Sequence, residues 1–532
     1  MRNIFTPLLL LSFIATNAQD GTLDPSFGTG GLVSTYPNGN VNPDRQKVTV
    51  VSGDKIYQCY SVSNGTNNDF GLVRYNSDGT LDNTFDGDGI VRTDFGGDDG
   101  ATSMFVQADG KIVVAGYSIV GGNGVFAVAR YNTNGSLDNT FDTDGRVTTA
   151  IGTDDAAYSV SLQSDGRIVV GGRSRFGTNY VFSLVRYNTN GSLDNTFDTD
   201  GRVTTDIGVA SGVDAVYSIA IQNDGRIVAA GSSFNGTSIT YFALARYNTN
   251  GSLDNTFEYD GTVLTSLTAN GNDAAYAVTI QTDGRIIAAG SAYNGTNFDL
   301  GLVRYTSTGF LDNSFDGDGR VITNLPHNGS EEINAIGQQS NGKILVAGYT
   351  DYGFSTQRDF VVARYNADGS PDGSFGSGGH TIIDFGGDDI GYSLDSQGLN
   401  LIVGGTSGTS LAIARLLNSS MILPVSLTTF TAEKRGSGVQ LTWETVNERQ
   451  TDAFEIERSA DGVNFTSIGT VTASGNSSSV RNYTFTDAQP LQSINFYRLK
   501  IVNSDRSVNY SRIVTVRFSG AAITLQAFPN PV

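Results

Sequence analysis

The sequence predicts an all-β protein, in which a closed ring of small sheets is followed by a separate sandwich of strands. Three observations support this prediction. A unit of about sixty residues recurs along the chain, each unit contains four short apolar segments between turn residues, and the repeat stops near Leu417. A fixed period of this length indicates an architecture in which each unit buries its apolar face against its neighbours.

Two motifs set the number of units and their phase. A Leu-Asp-x-x-Phe turn begins at Leu23, Leu81, Leu137, Leu193, Leu253, Leu311 and, with proline in place of leucine, Pro371. An arginine ends the strand before the turn, at Arg74, Arg130, Arg186, Arg246, Arg304, Arg364 and Arg415. The first turn has no such arginine before it, and Arg415 has no turn after it. The two chain ends therefore complement each other, which predicts a ring whose last sheet is completed by the N-terminal strand.

Each unit divides into four short strands between Gly, Asn and Asp turns. In one copy they are Arg202–Asp206, Val216–Gln222, Arg226–Gly231 and Tyr241–Tyr247. The runs are β-branched and too short for buried helices, and their continuous apolarity fits sheets that are covered on both faces. Four strands in each of seven units predict a seven-bladed β-propeller over residues 19–420.

Asn-Gly pairs mark the hairpins at Asn134-Gly135, Asn190-Gly191 and Asn250-Gly251. Tight hairpin turns require positive φ angles, which these residues tolerate. The same Asn-Gly-Ser tripeptides match the glycosylation sequon. We favour the turn interpretation because it explains the recurrence without a sugar.

The first residues predict export. Residues 1–18 have the features of a signal peptide, with Arg2 before an apolar run and small residues before Gln19. The run is too short to span a bilayer, and no other segment approaches about 20 apolar residues. We therefore expect a secreted monomer with no transmembrane segment. Cys59 is the only cysteine, so an intrachain disulfide is excluded.

The charge distribution argues against nucleic-acid binding. The net charge is −20, and no basic stripe is present that could displace counterions from phosphates. An acidic balance of this kind says little else about partners.

The C-terminal segment has a different pattern. Residues 424–519 predict a small antiparallel sandwich, with Trp443, the only tryptophan, as its core anchor. Its strands are expected at Val439–Glu444, Phe454–Arg458, Asn495–Ile501 and Ile513–Phe518. Residues 520–532 are expected to be a linker and the start of a further, truncated domain.

The Arg-Tyr-Asn-x-x-Gly-x-Leu-Asp-x-x-Phe unit resembles the delta-sixty repeat, a β-propeller repeat of bacterial surface and secreted proteins. The segments Leu441-Thr442-Trp443-Glu444 and Phe454–Ser459 resemble the fibronectin type III-like domain that precedes the sorting signal of Bacteroidetes secreted proteins. Pro529-Asn530-Pro531 is similar to the opening of the type A signal of the type IX secretion pathway. The resemblance implies passage across the outer membrane, followed by release or attachment at the cell surface. It implies no activity and no cofactor.

Catalytic candidates are scarce. The chain has two histidines, His327 and His380, and no serine in a nucleophile-elbow context, so acid–base chemistry would fall to carboxylates. Adjacent pairs occur at Asp98-Asp99, Asp154-Asp155 and Asp388-Asp389. They recur at one place in the repeat, as turn or capping residues do, whereas one active site would break the symmetry. The sequence therefore predicts no catalytic residue.

Calcium is the better metal hypothesis, because oxygen ligands at alternate positions before a glycine suit this ion. The candidate loops hold Asp82/Asp86/Asp88, Asp138/Asp142/Asp144, Asp194/Asp198/Asp200, Asp254/Glu258/Asp260 and Asp312/Asp316/Asp318. In the first and last copies, glycine replaces both later aspartates, at Gly28 and Gly30 and at Gly376 and Gly378. Because Asp and Gly both suit turns with unusual φ, we favour a turn over a metal site.

The recurring arginine and the first aspartate of each turn predict an ion pair in each unit, since a half-buried charge normally has a partner. The expected pairs are Arg74 with Asp82, Arg130 with Asp138 and, across the ring closure, Arg415 with Asp24. The alternative is a set of independent solvated charges.

Aromatic residues in the loops supply the remaining clue to function. Phe176, Phe234 and Tyr293 stand among polar residues at one position of successive units. They could form platforms for sugars, or they could pack on the adjacent unit, which is the simpler expectation. The sequence therefore predicts a secreted or cell-surface binding or adhesion module for extracellular glycans or surface proteins. The alternatives are a polysaccharide-active enzyme that uses blade-loop carboxylates and a structural spacer.

Overall fold

The computed structural model contains strands, turns and bends, with no helix in the part of the chain that it describes. That part comprises residues 19–50, 55–208, 212–234, 236, 239–269, 271–351, 357–398, 400–418, 426–446, 448–462, 464–477, 480–503 and 508–518. The predicted signal peptide (1–18) and C-terminal segment (520–532) lie outside the described residues. Among the residues that the structure describes, no helix is long and apolar enough to cross a membrane.

The repeat region forms seven antiparallel sheets of four strands each. In chain order the strands are β1 (Leu32–Thr35), β2 (Val41–Val50), β3 (Ile56–Ser63), β4 (Asn68–Tyr75), β5 (Ile90–Thr93), β6 (Asp98–Val106), β7 (Ile112–Val120), β8 (Asn123–Tyr131), β9 (Arg146–Thr149), β10 (Asp155–Leu162), β11 (Ile168–Phe176), β12 (Asn179–Tyr187), β13 (Arg202–Thr205), β14 (Ala215–Ile221), β15 (Ile227–Phe234), β16 (Thr240–Tyr247), β17 (Thr262–Thr265), β18 (Ala274–Ile280), β19 (Ile286–Tyr293), β20 (Phe298–Tyr305), β21 (Arg320–Thr323), β22 (Glu331–Gln338), β23 (Ile344–Asp351), β24 (Arg358–Tyr365), β25 (His380–Ile383), β26 (Asp389–Gln397), β27 (Asn400–Ser407) and β28 (Ser410–Leu416). Sheets 1 to 6 are β2–β5, β6–β9, β10–β13, β14–β17, β18–β21 and β22–β25, and sheet 7 is β26, β27, β28 and β1.

The first strand of each sheet contacts the first strand of the next, from β2 through β6, β10, β14, β18 and β22 to β26, and β26 contacts β2. These seven strands therefore enclose the centre of a closed ring. Strand β1 completes sheet 7 by pairing with β28, in a register that runs from Leu32 opposite Ala414 to Thr35 opposite Leu411. The N-terminal strand thus supplies the outer edge of the last sheet.

The apolar core lies between neighbouring sheets. One cluster joins Phe70 and Leu72 of sheet 1 to Val114 and Ala127 of sheet 2, and similar clusters follow around the ring. Because both faces of each sheet are covered in this way, the middle strands read as continuous apolar runs. Buried tyrosines add polar links between sheets, as where the Tyr131 hydroxyl donates to Thr93 Oγ1 at 2.8 Å.

A β-bulge interrupts the first strand of sheets 2 to 7. In each, the pairing with the second strand skips one residue, and the residues skipped are Thr102, Tyr158, Tyr217, Tyr276, Asn334 and Tyr392. A bulge bends its strand and re-aims a side chain. The ring therefore carries one re-aimed residue on the inner strand of six successive sheets.

Two further sheets form the C-terminal region. Their strands are β29 (Ser426–Arg435), β30 (Gly438–Val446), β31 (Glu448–Ser459), β32 (Thr466–Ser477), β33 (Arg481–Asp487), β34 (Ile494–Asn503), β35 (Val508–Tyr510) and β36 (Val514–Arg517). One sheet has the order β29-β30-β33, and the other has the order β32-β31-β34-β35 with β36 also on β34. Trp443 is buried between them, stacked on Tyr483 and edge-on to Phe454.

Candidate functional site

An arginine is the next-to-last residue of the third strand in every sheet, and its Nε atom faces an aspartate of the following turn. The Nε–Oδ2 distances are 2.8 Å for Arg74–Asp82, 2.7 Å for Arg130–Asp138, 2.7 Å for Arg186–Asp194, 2.7 Å for Arg246–Asp254, 2.7 Å for Arg304–Asp312, 2.6 Å for Arg364–Asp372 and 2.8 Å for Arg415–Asp24. The structure thus brings together all three pairs named from the sequence, including the one that joins the two chain ends.

Each of these arginines also links its sheet to the next. Arg74 donates from Nη1 to the carbonyl oxygen of Thr133 in sheet 2, at 2.6 Å, and from Nη2 to Thr84 Oγ1 at 2.9 Å. Its guanidinium carbon lies 4.5 Å from the ring centroid of Phe85, which is the phenylalanine of the repeat motif. We call this arrangement of arginine, aspartate, hydroxyl, phenyl ring and neighbouring carbonyl the arginine clasp.

The clasp differs where the chain ends meet. Sheet 7 has no hairpin between its third and fourth strands, so Arg364 finds no turn carbonyl there. It donates instead to Asp20 Oδ2 at 2.8 Å and to Asn418 Oδ1 at 3.0 Å. Arg415 restores the usual pattern with the Ser77 carbonyl of sheet 1, at 2.7 Å. Residues from both chain ends therefore substitute for the missing turn.

The clasp aspartates are held in the ionised form. Burial raises the pKa of Asp138, but hydrogen bonds from Thr140 and Lys111 and the charge of Arg130 outweigh it and lower the pKa below its ordinary value. The direction is the same for the aspartates of the other clasps. The paired arginine and the hydrogen bonds therefore favour the charged form of these carboxyl groups, as opposite charge and hydrogen bonding do in general.

The candidate calcium loops have the geometry of turns. Asp86 has a φ of 50°, and the glycines at its position in the first and last copies, Gly28 and Gly376, have φ of 51° and 52°. Asp88 Oδ1 accepts a hydrogen bond from the Ile90 backbone nitrogen at 2.9 Å, while Asp82 faces its clasp arginine. Asp82 and Asp88 therefore have separate structural partners, and Asp86 stands where the turn requires a positive φ.

The remaining candidate loops repeat this pattern. Positive φ recurs at Asp142, Asp198, Glu258 and Asp316. The last carboxylate of each loop accepts from a backbone nitrogen two residues on, at Asp144, Asp200, Asp260 and Asp318. In the described part of the chain, three carboxylates approach one another only at Asp69/Asp94/Asp99 and Asp359/Asp384/Asp389, which are not the loops named from the sequence.

The adjacent aspartate pairs lie at the start of the inner strands. Asp99 is buried, and its Oδ2 accepts from the Phe95 backbone nitrogen at 2.7 Å. Asp98 Oδ1 accepts from the backbone nitrogen and side-chain amide of Asn68, at 2.9 and 2.8 Å. Asp388 is paired with Arg358, which lowers the pKa of that carboxyl. These contacts anchor loops to strands.

The loop aromatics do not form one platform. Phe176 is 46% exposed, whereas Phe234 and Tyr293 are half-buried. Tyr293 packs on Phe298 of its own sheet, with ring centroids 5.2 Å apart. The contact is local, because the two residues face each other across the β19–β20 hairpin.

A cavity of about 400 Å³ opens at the inner strands of sheets 2 to 4. Its lining includes the bulge residues Thr102, Tyr158 and Tyr217, together with Tyr117, Asp154 and Arg173. The Tyr158 ring centroid lies 5.5 Å from that of Tyr217, and Tyr217 lies 5.2 Å from Tyr276. We call Tyr158, Tyr217 and Tyr276 the tyrosine arc. All three are partly exposed.

The tyrosine arc was not predicted from the sequence, because a bulge residue falls outside the alternation of a regular strand. A signal was nonetheless present. A tyrosine follows the buried acid by three residues in four units, at Tyr158, Tyr217, Tyr276 and Tyr392.

Six segments of the repeat region match the family model described as a domain of unknown function (DUF5122) beta-propeller, at residues 60–85, 107–141, 163–197, 222–257, 281–315 and 339–375. No curated protein matches the chain in sequence.

Solved structures resemble the fold at low identity. A protein of unknown function from Dyadobacter fermentans has 13% identity and a TM-score of 0.39, and the match covers 74% of this chain and all of that one. The Nup133 beta-propeller domain of Vanderwaltozyma polyspora has 11% identity and a TM-score of 0.39, over 73% of this chain and 98% of that one. The Hadza microbial sialidase Hz136 has 10% identity and a TM-score of 0.36, over 71% and 66%. Likenesses this distant carry no argument about function. The six family matches and the repeated four-stranded sheets identify the chain as a β-propeller repeat protein.

Proposed function

We propose that this chain is a secreted or cell-surface binding module, a seven-bladed propeller followed by a fibronectin type III-like sandwich and exported by the type IX pathway. Its ligands are extracellular glycans or glycan-bearing surface proteins, and it has no catalytic role. Three observations support this architecture: each sheet of the repeat region has four strands, β1 completes the last sheet, and two further sheets follow. The sequence features of residues 1–18 and 529–531 support export.

The tyrosine arc carries the functional part of the proposal. Aromatic faces next to polar groups in a concave site are typical of carbohydrate recognition, because sugar C–H faces pack on rings while hydroxyl groups find hydrogen-bond partners. Here the β-bulges place three tyrosines side by side at the centre of the ring. Tyr392, which stands at the same bulge position in sheet 7, is 8% exposed, whereas the tyrosines of the arc remain more exposed.

The binding function is tested with the purified chain on an immobilised panel of polysaccharides and glycoproteins. We expect saturable binding to at least one of them and a loss of tenfold or more in affinity for Tyr217→Ala, taking as a scale the about 1–3 kcal/mol that a nucleic-acid base gains by stacking on an aromatic side chain. Tyr36→Ala is the matched control, since Tyr36 is 56% exposed and lies outside the cavity. If Tyr217→Ala binds as the parent does, the binding site lies outside the tyrosine arc. If the parent binds nothing on the panel, a structural spacer is favoured.

The second candidate function is an enzyme, and the observation that favours it is that Asp154 and Asp155 both line the cavity. The contacts of these two aspartates indicate a structural role. Asp154 Oδ2 accepts from the Tyr180 hydroxyl at 2.6 Å, and Asp155 accepts from the backbone nitrogens of Ile151 and Gly152. Hydrolysis of a glycoside requires one protonated carboxyl group beside the scissile bond. Release of reducing sugar from any bound polysaccharide would establish the enzyme.

Export is tested separately in a host that has the type IX pathway. We expect the full chain at the cell surface or in the medium, where added protease reaches it. Deletion of residues 1–18 should keep it inside the cell. Equal export of both forms would refute the role assigned to the signal peptide.

A further inference from the structure

One residue of the cavity breaks the repeat. Arg173 lies in the second strand of sheet 3, opposite Ala156 and Phe182. The equivalent residues of the other sheets are uncharged: Ser61, Tyr117, Ser232, Ser291, Tyr349 and Thr406. A residue that the fold required would recur from sheet to sheet, as the clasp arginines do. Arg173 is therefore a feature of this one cavity and not of the scaffold.

Arg173 has aromatic neighbours but no acid. Its guanidinium carbon lies 4.5 Å from the ring centroid of Tyr180 and 5.8 Å from that of Tyr158. Among the described residues, its Nε atom is buried and has no hydrogen-bond acceptor. Leaving a charged group without a counter-ion is costly, and Arg173 lines the cavity, so the site lacks an anion that a ligand could supply.

The nearby acids do not fill this role. Asp154 accepts the Tyr180 hydroxyl, and Asp155 is 1% exposed with both carboxylate oxygens bonded to backbone nitrogens. Tyr180 therefore stands between Asp154 and the arginine, with its ring on the cation and its hydroxyl on the acid. This arrangement holds the Asp154 carboxylate on the tyrosine hydroxyl and leaves the guanidinium available to another anion.

We infer that this cavity binds an acidic sugar residue, with the ligand carboxylate on Arg173 and the pyranose ring on the Tyr158–Tyr217 part of the tyrosine arc. The inference rests on the proposed function and names its ligand class. A guanidinium is the preferred partner of a carboxylate because its fork of N–H donors can bind both oxygens. A neutral sugar would leave the charge of Arg173 without a counter-ion.

The experiment compares an oligogalacturonate with its methyl ester, which has the same ring and hydroxyl groups without the negative charge. Binding to the purified full chain is measured by calorimetry at low and at high salt. We expect at least tenfold tighter binding of the acid than of the ester, and weaker binding of the acid at high salt. In Arg173→Ser, which introduces the residue native to the same position of sheets 4 and 5, the preference for the acid should disappear.

Two further variants keep the test specific. Arg175→Ser removes the same charge from an exposed residue of the same strand, and should leave the preference unchanged. Arg173→Lys keeps the charge without the fork, and should retain part of the preference. The thermal midpoint of each variant shows whether it folds as the parent does.

The outcomes separate the two proposals. Equal binding of acid and ester, or an Arg173→Ser variant that still prefers the acid, would overturn the acidic-sugar site. If a neutral glycan from the panel still binds in a Tyr217-dependent manner, the binding function stands without it. If no glycan of either kind binds, both proposals fail.

Discussion

The arginine clasp gives the sharpest test of how the ring is held together. In the native protein, the backbone nitrogen and the hydroxyl of Thr140 donate to Asp138 Oδ1 at 3.1 and 2.7 Å. The variant Asp138→Asn keeps a carbonyl oxygen that can accept both hydrogen bonds. The substitution removes the charge that faces Arg130 Nε at 2.7 Å and Lys111 Nζ at 3.0 Å. It thus isolates the ionic part of the clasp from its hydrogen-bonded turn.

The size of the effect follows from burial. The side chains of Arg130 and Asp138 are 6% and 4% exposed, so the mutation leaves a nearly buried guanidinium without its counter-ion. Breaking a buried pair by removing one partner costs about 3–5 kcal/mol. The control is Asp144→Asn, because Asp144 and Arg146 form a pair of similar length, 2.9 Å, whose side chains are 51% and 36% exposed. An exposed pair is worth about 1 kcal/mol or less.

Urea unfolding followed by far-UV circular dichroism measures both variants. Tryptophan fluorescence is unsuitable for this purpose, since Trp443 lies in the C-terminal sheets. The pKa of Asp138 is lowered in the fold, so its contribution is present above the unfolded pKa of about 4 and is lost as pH falls through the folded pKa. The gap between the parent and Asp138→Asn should therefore shrink in acid. An Asp138→Asn variant no less stable than Asp144→Asn would refute the reasoning.

Three other predictions concern separate parts of the molecule. Burial raises the pKa of Glu331 to about 8, so the free energy of unfolding should fall as pH rises from about 4 through 8, and Glu331→Gln should remove that slope in urea titrations at several pH values. Trp443→Ala should lower the free energy of unfolding by about 3–5 kcal/mol. Trp443→Phe should lower it less, because phenylalanine keeps an aromatic ring and the buried indole nitrogen that it removes has no acceptor among the described residues. Equal losses for the two variants in calorimetry would contradict this prediction. Asp86→Gly should unfold at the same temperature as the parent with calcium or with chelator, since glycine occupies this φ at Gly28; a calcium-dependent stabilisation present only in the parent would restore the metal site.

The recurrence of residues predicted the parts of the structure that every unit shares. In one unit the expected strand Tyr241–Tyr247 is observed as Thr240–Tyr247, and Arg226–Gly231 as Ile227–Phe234. The strand boundaries differ by one to three residues because a hairpin continues pairing through polar residues such as Ser232 that the apolar pattern does not mark. The arginine–aspartate contacts could be anticipated because both charges recur in phase.

The features that define the candidate site were harder to anticipate, since they depend on departures from the repeat. A β-bulge sets the direction of the Tyr217 side chain, and the alternation of residues along a regular strand does not predict where a bulge inserts its extra residue. Arg173 has no charged equivalent in the other sheets, and its aromatic partners, Tyr158 and Tyr180, lie on the two neighbouring strands of sheet 3 and not beside it in the sequence. In the C-terminal region, β32 and β33 were not expected because their residues are mostly Thr, Ser and Gly, or alternate with exposed polar residues.

The closure of the ring by β1 has a consequence for how the chain matures. Residues 32–35 are synthesised first among the strands, yet their partner β28 ends at Leu416. At roughly 5–20 residues per second, β1 waits on the order of 20–80 s for that partner. During this interval the earlier sheets form an open arc with an unpaired strand at one flank and an uncovered core at the other. The ring is therefore closed late, after the strands that line the cavity at sheets 2 to 4 have all been made.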